Sequence, residues 1–577
     1  MANKNLFKSA LPGAAVPPTD TVNEAGGRAY RRSDKATLAQ YAATGCLNST
    51  FYTKDEDQLK LTMELAAKVD SKFLAQVAIF SREQGLLKDM PALLTAVLFG
   101  RTKVDPAAKP YFLAAFGRCI DNGKMLKNFV QIVRSGVVGR KALGASSVRK
   151  MIQKWFDGQT DEQLFYQSVG NDPSLADVIK LARVDPRTQQ RRALFNYLTG
   201  VEPGRKGPLG HAYAPEDLPQ IVKDYEAFRK SSKNARPGKA PDVRFELLTS
   251  CDLSQAEWEE IAKNASWNQT RMNLNTFLRH GVFSKTSNVD IVANRIKNQG
   301  LIEKAKVFPY GLYTAYNYTS RQTGMPQKIT VALQQALDHS LRNIPDISGQ
   351  VVVAPDMSGS MSAAVTGNRN GSGTGASALA RRGRPSGATT VVQCREVAAL
   401  ITAAFLRKMP DTMILPFSDR INENVRLNPM DSVATNAQIL SRLPSGGTDC
   451  ALPLGYLNQH SVKADLVIYV SDYESWMDVS GRQTHRYGWG ATDVRQVTGM
   501  MEQWRIFKSR NPKARLVCVD LAPSATGQVI QEDDILSIGG WSDQCFSLIA
   551  DFAANGNNGD MWVKRIEAQP LFESVAP

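Results

Sequence analysis

The sequence predicts a two-part chain, an all-α stretch of stacked helical hairpins followed by an α/β doubly wound parallel sheet. Three observations lead there. From about residue 34 to 340 apolar residues recur at spacings of three and four, as in "LKLTMELAAKV", "KFLAQVAIFSREQ" and "YFLAAFGRCI", with short turns carrying Gly, Asp or Pro between them. After about 347 short, wholly apolar runs ("QVVVAPD", "TMILPFSD", "DLVIYVSD", "ARLVCVDLA") alternate with amphipathic stretches, the pattern of parallel strands covered on both faces. Charge divides at the same place: residues 1–350 hold 49 Lys and Arg against 33 Asp and Glu, whereas residues 351–577 hold 21 against 22. The first part therefore faces a polyanion and the second need not.

In chain order, residues 1–33 are polar, lack a sustained apolar run and are expected as a disordered leader rather than a secretory signal. Residues 34–346 are expected as a HEAT-like helical-repeat domain in which each hairpin buries its apolar stripe against its neighbours. Residues 347–560 form the α/β domain. A stretch rich in Gly, Ser, Ala and Arg interrupts it at 363–389; this composition cannot build a core and predicts a flexible loop, which is either a tolerated insertion without a role or a segment whose Arg369, Arg381, Arg382 and Arg384 reach RNA or an acidic partner. A tail over 561–577 follows, a candidate to pack back on the helices. No apolar run reaches the length of a bilayer span. Seven scattered cysteines without a CxxC pair argue against a disulfide framework and a thiolate zinc site, and fit a reducing cytoplasm.

The chemistry concentrates in "QVVVAPDMSGSMS", residues 350–362. Asp356, Ser358 and Ser360 alternate along the turn that ends the first strand, where ligands of such sheets bind. "PSGGTDC" adds Thr448 in a glycine-rich loop, and "VIYVSDYES" adds Asp472 at the end of a later strand. One or two carboxylates with several hydroxyls suit a divalent cation that keeps some of its waters, Mg²⁺ above all, with Mn²⁺ also suited. A polar turn or helix cap accounts for DxSxS alone, since Asp and Ser favour both. Thr448 and Asp472 in the same order favour the metal.

These residues resemble the metal-ion-dependent adhesion site (MIDAS) of the von Willebrand factor A domain. More narrowly, "LPSGGTDCALPL", "VSDYES" and "LVCVDLAPSATGQVIQEDDILSIGGWSDQCFSLIADF" resemble the A domain of the Ro autoantigen, the TROVE-domain family. "LNSTFYTKDEDQL", "SREQGLLKDMPALLTAVL", "SSVRKMIQKWF", "WNQTRMNLNTFLRHGVF" and "KAKVFPYGLYTAY" extend that resemblance over residues 34–555. It implies a ring of HEAT-like hairpins closed by the A domain and acting in RNA quality control. The outer face of the ring would bind small structured Y RNAs, and its hole the single-stranded 3′ ends of misfolded non-coding RNA. An exoribonuclease, or an acidic protein ligand at the metal, would be a further partner.

Basic clusters point to RNA independently. Residues 101–150 hold 11 basic and 2 acidic side chains. Arg149, Lys150 and Lys154 stand at helical spacing with Arg140 and Lys141 just before them, and Lys180, Arg183, Arg187, Arg191 and Arg192 add a second group. Such contacts with phosphates would be salt-dependent and carry little sequence reading. The resemblance adds Arg279 and Asn273 as residues facing the inner ring. No phosphate-binding loop, Ser-His-Asp set or pair of acid/base carboxylates is legible, and the five histidines form no pair at metal-ligand spacing, so a non-catalytic RNA-binding protein is expected. A monomer without a membrane partner completes the reading. The alternative is a scaffold whose A domain grasps an acidic protein through the metal.

Overall fold

A computed structural model describes most of residues 18–572, apart from single positions, short gaps and the longer stretches 45–54, 232–239, 367–391, 476–496 and 556–560. The chain divides into two compact units. One comprises Met1–Lys68, Ile302–Tyr318 and Leu333–Arg565; the other comprises Val69–Leu301, Thr319–Ala332 and Ile566–Pro577.

The first unit is built on five parallel strands in the spatial order Ile535–Gly539, Arg515–Asp520, Leu466–Ser471, Val351–Pro355, Met413–Ile414. Val351–Pro355 and Leu466–Ser471 are buried at every position, as uniformly apolar strands must be when both sheet faces are covered. Helix Cys394–Lys408 packs on the first of these strands and its two neighbours. Its alanines at 398, 399, 403 and 404 are fully buried and let the backbones come close. A separate cluster joins Val352, Val467 and Leu516 to Trp504 and Phe507 of helix Gly499–Arg510. Burying each such side chain stabilises the fold by about 1.5–3 kcal/mol. From Val351–Pro355 the chain moves to the edge strand Met413–Ile414 and then returns to Leu466–Ser471 on the opposite side. Strand order thus reverses beside the central strand, which opens a crevice at the carboxyl ends of the strands.

The leader expected over 1–33 needs correcting. Residues 1–17 lie outside the described residues, but Thr21–Val22 pairs antiparallel with Arg28–Arg31, which pairs in turn with Thr526–Gly527. Tyr30 enters the Trp504 cluster, and Arg32 forms an ion pair with Asp520 at 3.3 Å, their side chains 6% and 1% exposed. Nothing local signals this order, because the partners lie almost five hundred residues further along the chain. The boundary expected at 346/347 also differs from the division of contacts, since 34–68, 302–318 and 333–346 cluster with the sheet. The loop expected at 363–389 begins with Ala364–Thr366, which pairs with Val392–Gln393; residues 367–391 lie outside the described residues.

The second unit is helical. Ser71–Glu83 packs on Asp89–Arg101 and Lys109–Cys119, Asp89–Arg101 packs on Gly123–Ser135, and Lys109–Cys119 on Ser146–Asp157. Helices thus meet their next-but-one neighbours along the chain, as in a stack of hairpins. Phe99, Phe112, Phe116 and Phe129 form the fully buried centre of this stack, with Phe116 edge-on to Phe129 at 5.2 Å. Asn122 and Asp70 cap helix starts, Thr160, Ser174, Ser254 and Ser266 do so in capping boxes, and Gly136 ends a helix at φ 82°. The tail segment after 565 packs in this unit: Gln76 Nε2 donates to the carbonyls of Glu567 and Gln569, and Gln569 Nε2 donates to Glu83.

Burial pushes the Asp520 carboxyl up to about 7 against the opposing pull of Arg32. A carboxyl raised in the folded state contributes most at low pH, and its contribution is lost as pH rises from the ordinary carboxylate range towards 7. Arg32→Met removes the compensating cation. It is expected to cost about 3 kcal/mol at pH 8 and clearly less at pH 5, where Asp520 takes up a proton. Thermal melts of the full chain at the two pH values measure the difference.

Candidate metal centre and basic surface

The five expected metal-site residues lie at the carboxyl ends of the strands. Asp356, Ser358, Ser360, Thr448 and Asp472 are 0%, 0%, 6%, 2% and 3% exposed. Asp356 leaves strand Val351–Pro355 with its N–H on the Val470 carbonyl at 2.9 Å. Its Oδ1 accepts the Ser358 N–H at 2.7 Å and its Oδ2 the Ser471 hydroxyl at 2.5 Å. The Ser358 and Ser360 hydroxyl oxygens lie 3.2 Å apart. The turn is tied to the glycine-rich loop by the Gly359 N–H, which donates to the Gly446 carbonyl at 3.0 Å. A Cβ at Gly446 would stand 2.4 Å from the Asp419 carboxylate, so a larger residue there would push that side chain aside. Asp472 follows Leu466–Ser471 directly, and its Oδ1 accepts the Glu474 N–H at 3.4 Å.

The electrostatics favour a cation. Burial first, and the Asp472 charge second, hold the Asp356 carboxyl above the usual range; the Ser471 and Ser358 hydrogen bonds oppose them. Two buried carboxylates that repel one another, beside paired hydroxyl oxygens, form a donor set that a small hard cation would relieve. Among the described residues no group of three or more His, Cys, Asp or Glu side chains could hold a metal ion, so binding here depends on the hydroxyl ligands. Asp356, Ser358, Ser360, Thr448 and Asp472 therefore fit Mg²⁺ or Mn²⁺. Ser471, Ser475, Asp419 and the Arg32–Asp520 pair surround them without having been expected. Of these Ser471 and Ser475, both within "VSDYES", lay in a stretch that the sequence singles out.

The basic residues separate into two kinds. Lys141, Lys150, Lys154, Lys180 and Arg183 are exposed. Helix Ser146–Asp157, which carries Lys150 and Lys154, packs on Leu175–Ala182, which carries Lys180 and is capped by Arg183. Arg183 and Arg187 both adopt left-handed backbone, at φ 51° and 62°, uncommon without glycine. Arg149 is half-buried, with no hydrogen-bond partner for its Nε among the described residues. Arg187 is exposed but faces Asp185 at 3.1 Å and Asp157 at 3.6 Å.

Arg191 corrects the expectation. It bonds Asp161 at 2.7 Å and the carbonyls of Phe156 and Gln159, so its guanidinium is consumed in joining helices. Arg192 is half-buried, and Arg140 lies outside the described residues. Arg279 is exposed near the end of Trp267–Arg279, where it donates to Thr276 Oγ1 at 3.2 Å; Asn273 turns back on its own helix to the Gln269 carbonyl at 2.8 Å. No helix among the described residues is long and apolar enough to cross a membrane.

Comparison with known proteins agrees with this architecture. Residues 384–486 match the family model described as the Ro60 vWA domain. The RNA-binding protein RO60 of Deinococcus radiodurans is 22% identical over 504 residues, covering 82% of this chain and 88% of the relative. The RNA-binding protein RO60 of Caenorhabditis elegans is 22% identical over 304 residues, covering 50% of this chain and 43% of the relative. The crystal structure of the Deinococcus radiodurans Ro protein superposes with a TM-score of 0.58 at 17% identity, covering 90% of this chain and 99% of that one. A region of stacked helices and a parallel five-stranded sheet, both legible in the sequence and both present in the fold, agree with these matches: the chain is similar to the Ro proteins in sequence and shares their fold.

Proposed function

We propose that this protein binds RNA without catalysis, through the basic face of its helical unit, and holds a divalent cation in its A domain. The observation that carries the reading is the exposure of Lys150, Lys154, Lys180 and Arg183 on two packed helices, in the half of the chain that holds all the excess positive charge. Curated relatives named as RNA-binding proteins support it. The RNA is a small, structured Y-like species, with misfolded RNA ends as a second class, and the protein works as a monomer in the cytoplasm, in quality control or as a scaffold for a nuclease. Mg²⁺ at Asp356, Ser358, Ser360, Thr448 and Asp472 supplies a Lewis-acidic position for the carboxylate of an acidic protein ligand.

Replacing Lys150, Lys154, Lys180 and Arg183 together by alanine is expected to weaken binding of the RNA that copurifies with the protein. The slope of log affinity against log salt should fall by about 3. Arg191→Ala should lower the melting temperature and leave that slope nearly intact. Filter binding across a salt series separates the two, and equal slopes for the fourfold variant and the parent would refute the assignment.

For the metal, Asp356→Ala is expected to abolish Mn²⁺ binding, read by electron paramagnetic resonance, with RNA affinity nearly unchanged. The metal must displace a proton from a carboxyl held above its usual range, so affinity should rise steadily from about pH 5 to about pH 8. A flat pH profile, or retained binding in the variant, would exclude the site.

A further inference from the structure

Two of the residues assigned to the metal, Thr448 and Asp472, come from different loops, and one side chain spans them. The Ser475 hydroxyl donates to the Thr448 carbonyl at 3.3 Å and accepts the Cys450 N–H at 3.2 Å, while Ser475 itself stands three residues beyond Asp472. It is 7% exposed, so both bonds are shielded from water.

Ser475 is in turn held by the N-terminal segment. Asn23 Nδ2 donates to the Ser475 carbonyl at 2.8 Å, and the Ala25 N–H donates to the Glu474 carboxylate at 3.0 Å. The turn presenting these groups is closed on itself. The Asn23 N–H meets the Gly27 carbonyl at 2.8 Å, the Gly26 N–H the Asn23 carbonyl at 3.0 Å, and the Gly27 N–H the Asn23 Oδ1 at 2.6 Å. Asn23 is 6% exposed and Glu474 2%. Gly27 lies so close that a Cβ would stand 1.9 Å from the Ser475 carbonyl oxygen, so this contact admits only glycine. The strand Arg28–Arg31 and the Arg32–Asp520 pair then anchor the segment along the same ends of the sheet.

We infer that Ser475 is a positioning residue for the metal centre and that the turn carrying Asn23, Ala25, Gly26 and Gly27 is its clamp. The turn fixes Ser475, and Ser475 fixes the distance between the Thr448 loop and the Asp472 loop. Neither Ser475 nor Asn23 belongs to the residues assigned to the cation. The inference rests on the metal reading above. By linkage, whatever affinity the metal gains from the docked segment, the segment gains in docking from the metal.

The test uses the full-length chain. Mn²⁺ affinity is measured by electron paramagnetic resonance for the parent, Ser475→Ala, Asn23→Ala and Ser475→Thr. Hydrogen exchange of residues 20–32 is followed with and without Mn²⁺ in the parent and in Asp356→Ala. Ser475→Ala and Asn23→Ala are expected to bind Mn²⁺ roughly tenfold more weakly, while Ser475→Thr, which keeps the hydroxyl, stays near the parent. Mn²⁺ should slow exchange across 20–32 in the parent and not in Asp356→Ala. Parent-like Mn²⁺ affinity in both alanine variants, even with lowered melting temperatures, would reduce the clamp to a structural contact and overturn the inference. Exchange that is insensitive to Mn²⁺ in a parent that binds it would do the same, and this arm needs no folded clamp variant. A parent that binds no Mn²⁺ would instead remove the metal centre itself, and the inference with it.

Discussion

Buried negative charge at the carboxyl ends of adjacent parallel strands is the constraint around which the sheet unit is arranged. Asp356, Asp472 and Asp520 each close one of three neighbouring strands and are almost wholly withdrawn from water. A buried carboxylate must be hydrogen-bonded, paired with a cation or protonated. Asp520 has the Arg32 guanidinium. Asp356 has the Ser471 hydroxyl and the Ser358 N–H, with Asp472 close enough to raise its pKa. The surrounding loops follow from this need: a turn of alternating hydroxyls, a glycine-rich loop pressed against Asp419, and a serine bridging two of the loops.

The same constraint explains why residues near the chain start are ordered. A short polar hairpin cannot hold itself together in water, since two strands alone bury too little. Here Tyr30 packs into the core of the sheet, Arg32 meets a carboxylate that needs it, and Gly27 fits against a carbonyl that leaves no room for a side chain. Arg32 and Gly27 meet Asp520 and Ser475, and Tyr30 joins a core drawn from the whole sheet, so the segment and the strand ends stabilise one another.

In the helical unit the surface, not the core, separates the residues. Capping residues and phenylalanines build the stack, and the basic side chains divide by what lies next to them. Arg191 stands over open carbonyls and Asp161, and is drawn inward; Lys150, Lys154, Lys180 and Arg183 stand in solvent. Helical spacing alone treats them as equivalent, because it records which residues share a face and not which acceptors a neighbouring helix presents.

By itself the sequence determined the fold class of both parts, the order of the strands' apolar runs and the five residues proposed to hold the metal. These are legible because periodicity follows from local geometry, and because a parallel sheet sends the ends of its strands to one side. Only the tertiary structure decided that the turn carrying Asn23 and Gly27 lies on Ser475, that Arg32 neutralises Asp520 and that Arg191 is structural. The physical reason is the same in each case. The partner is far away in sequence, and a hydrogen bond or ion pair between distant residues leaves no period in the chain. Its strength comes from burial, which exists only once the core has formed.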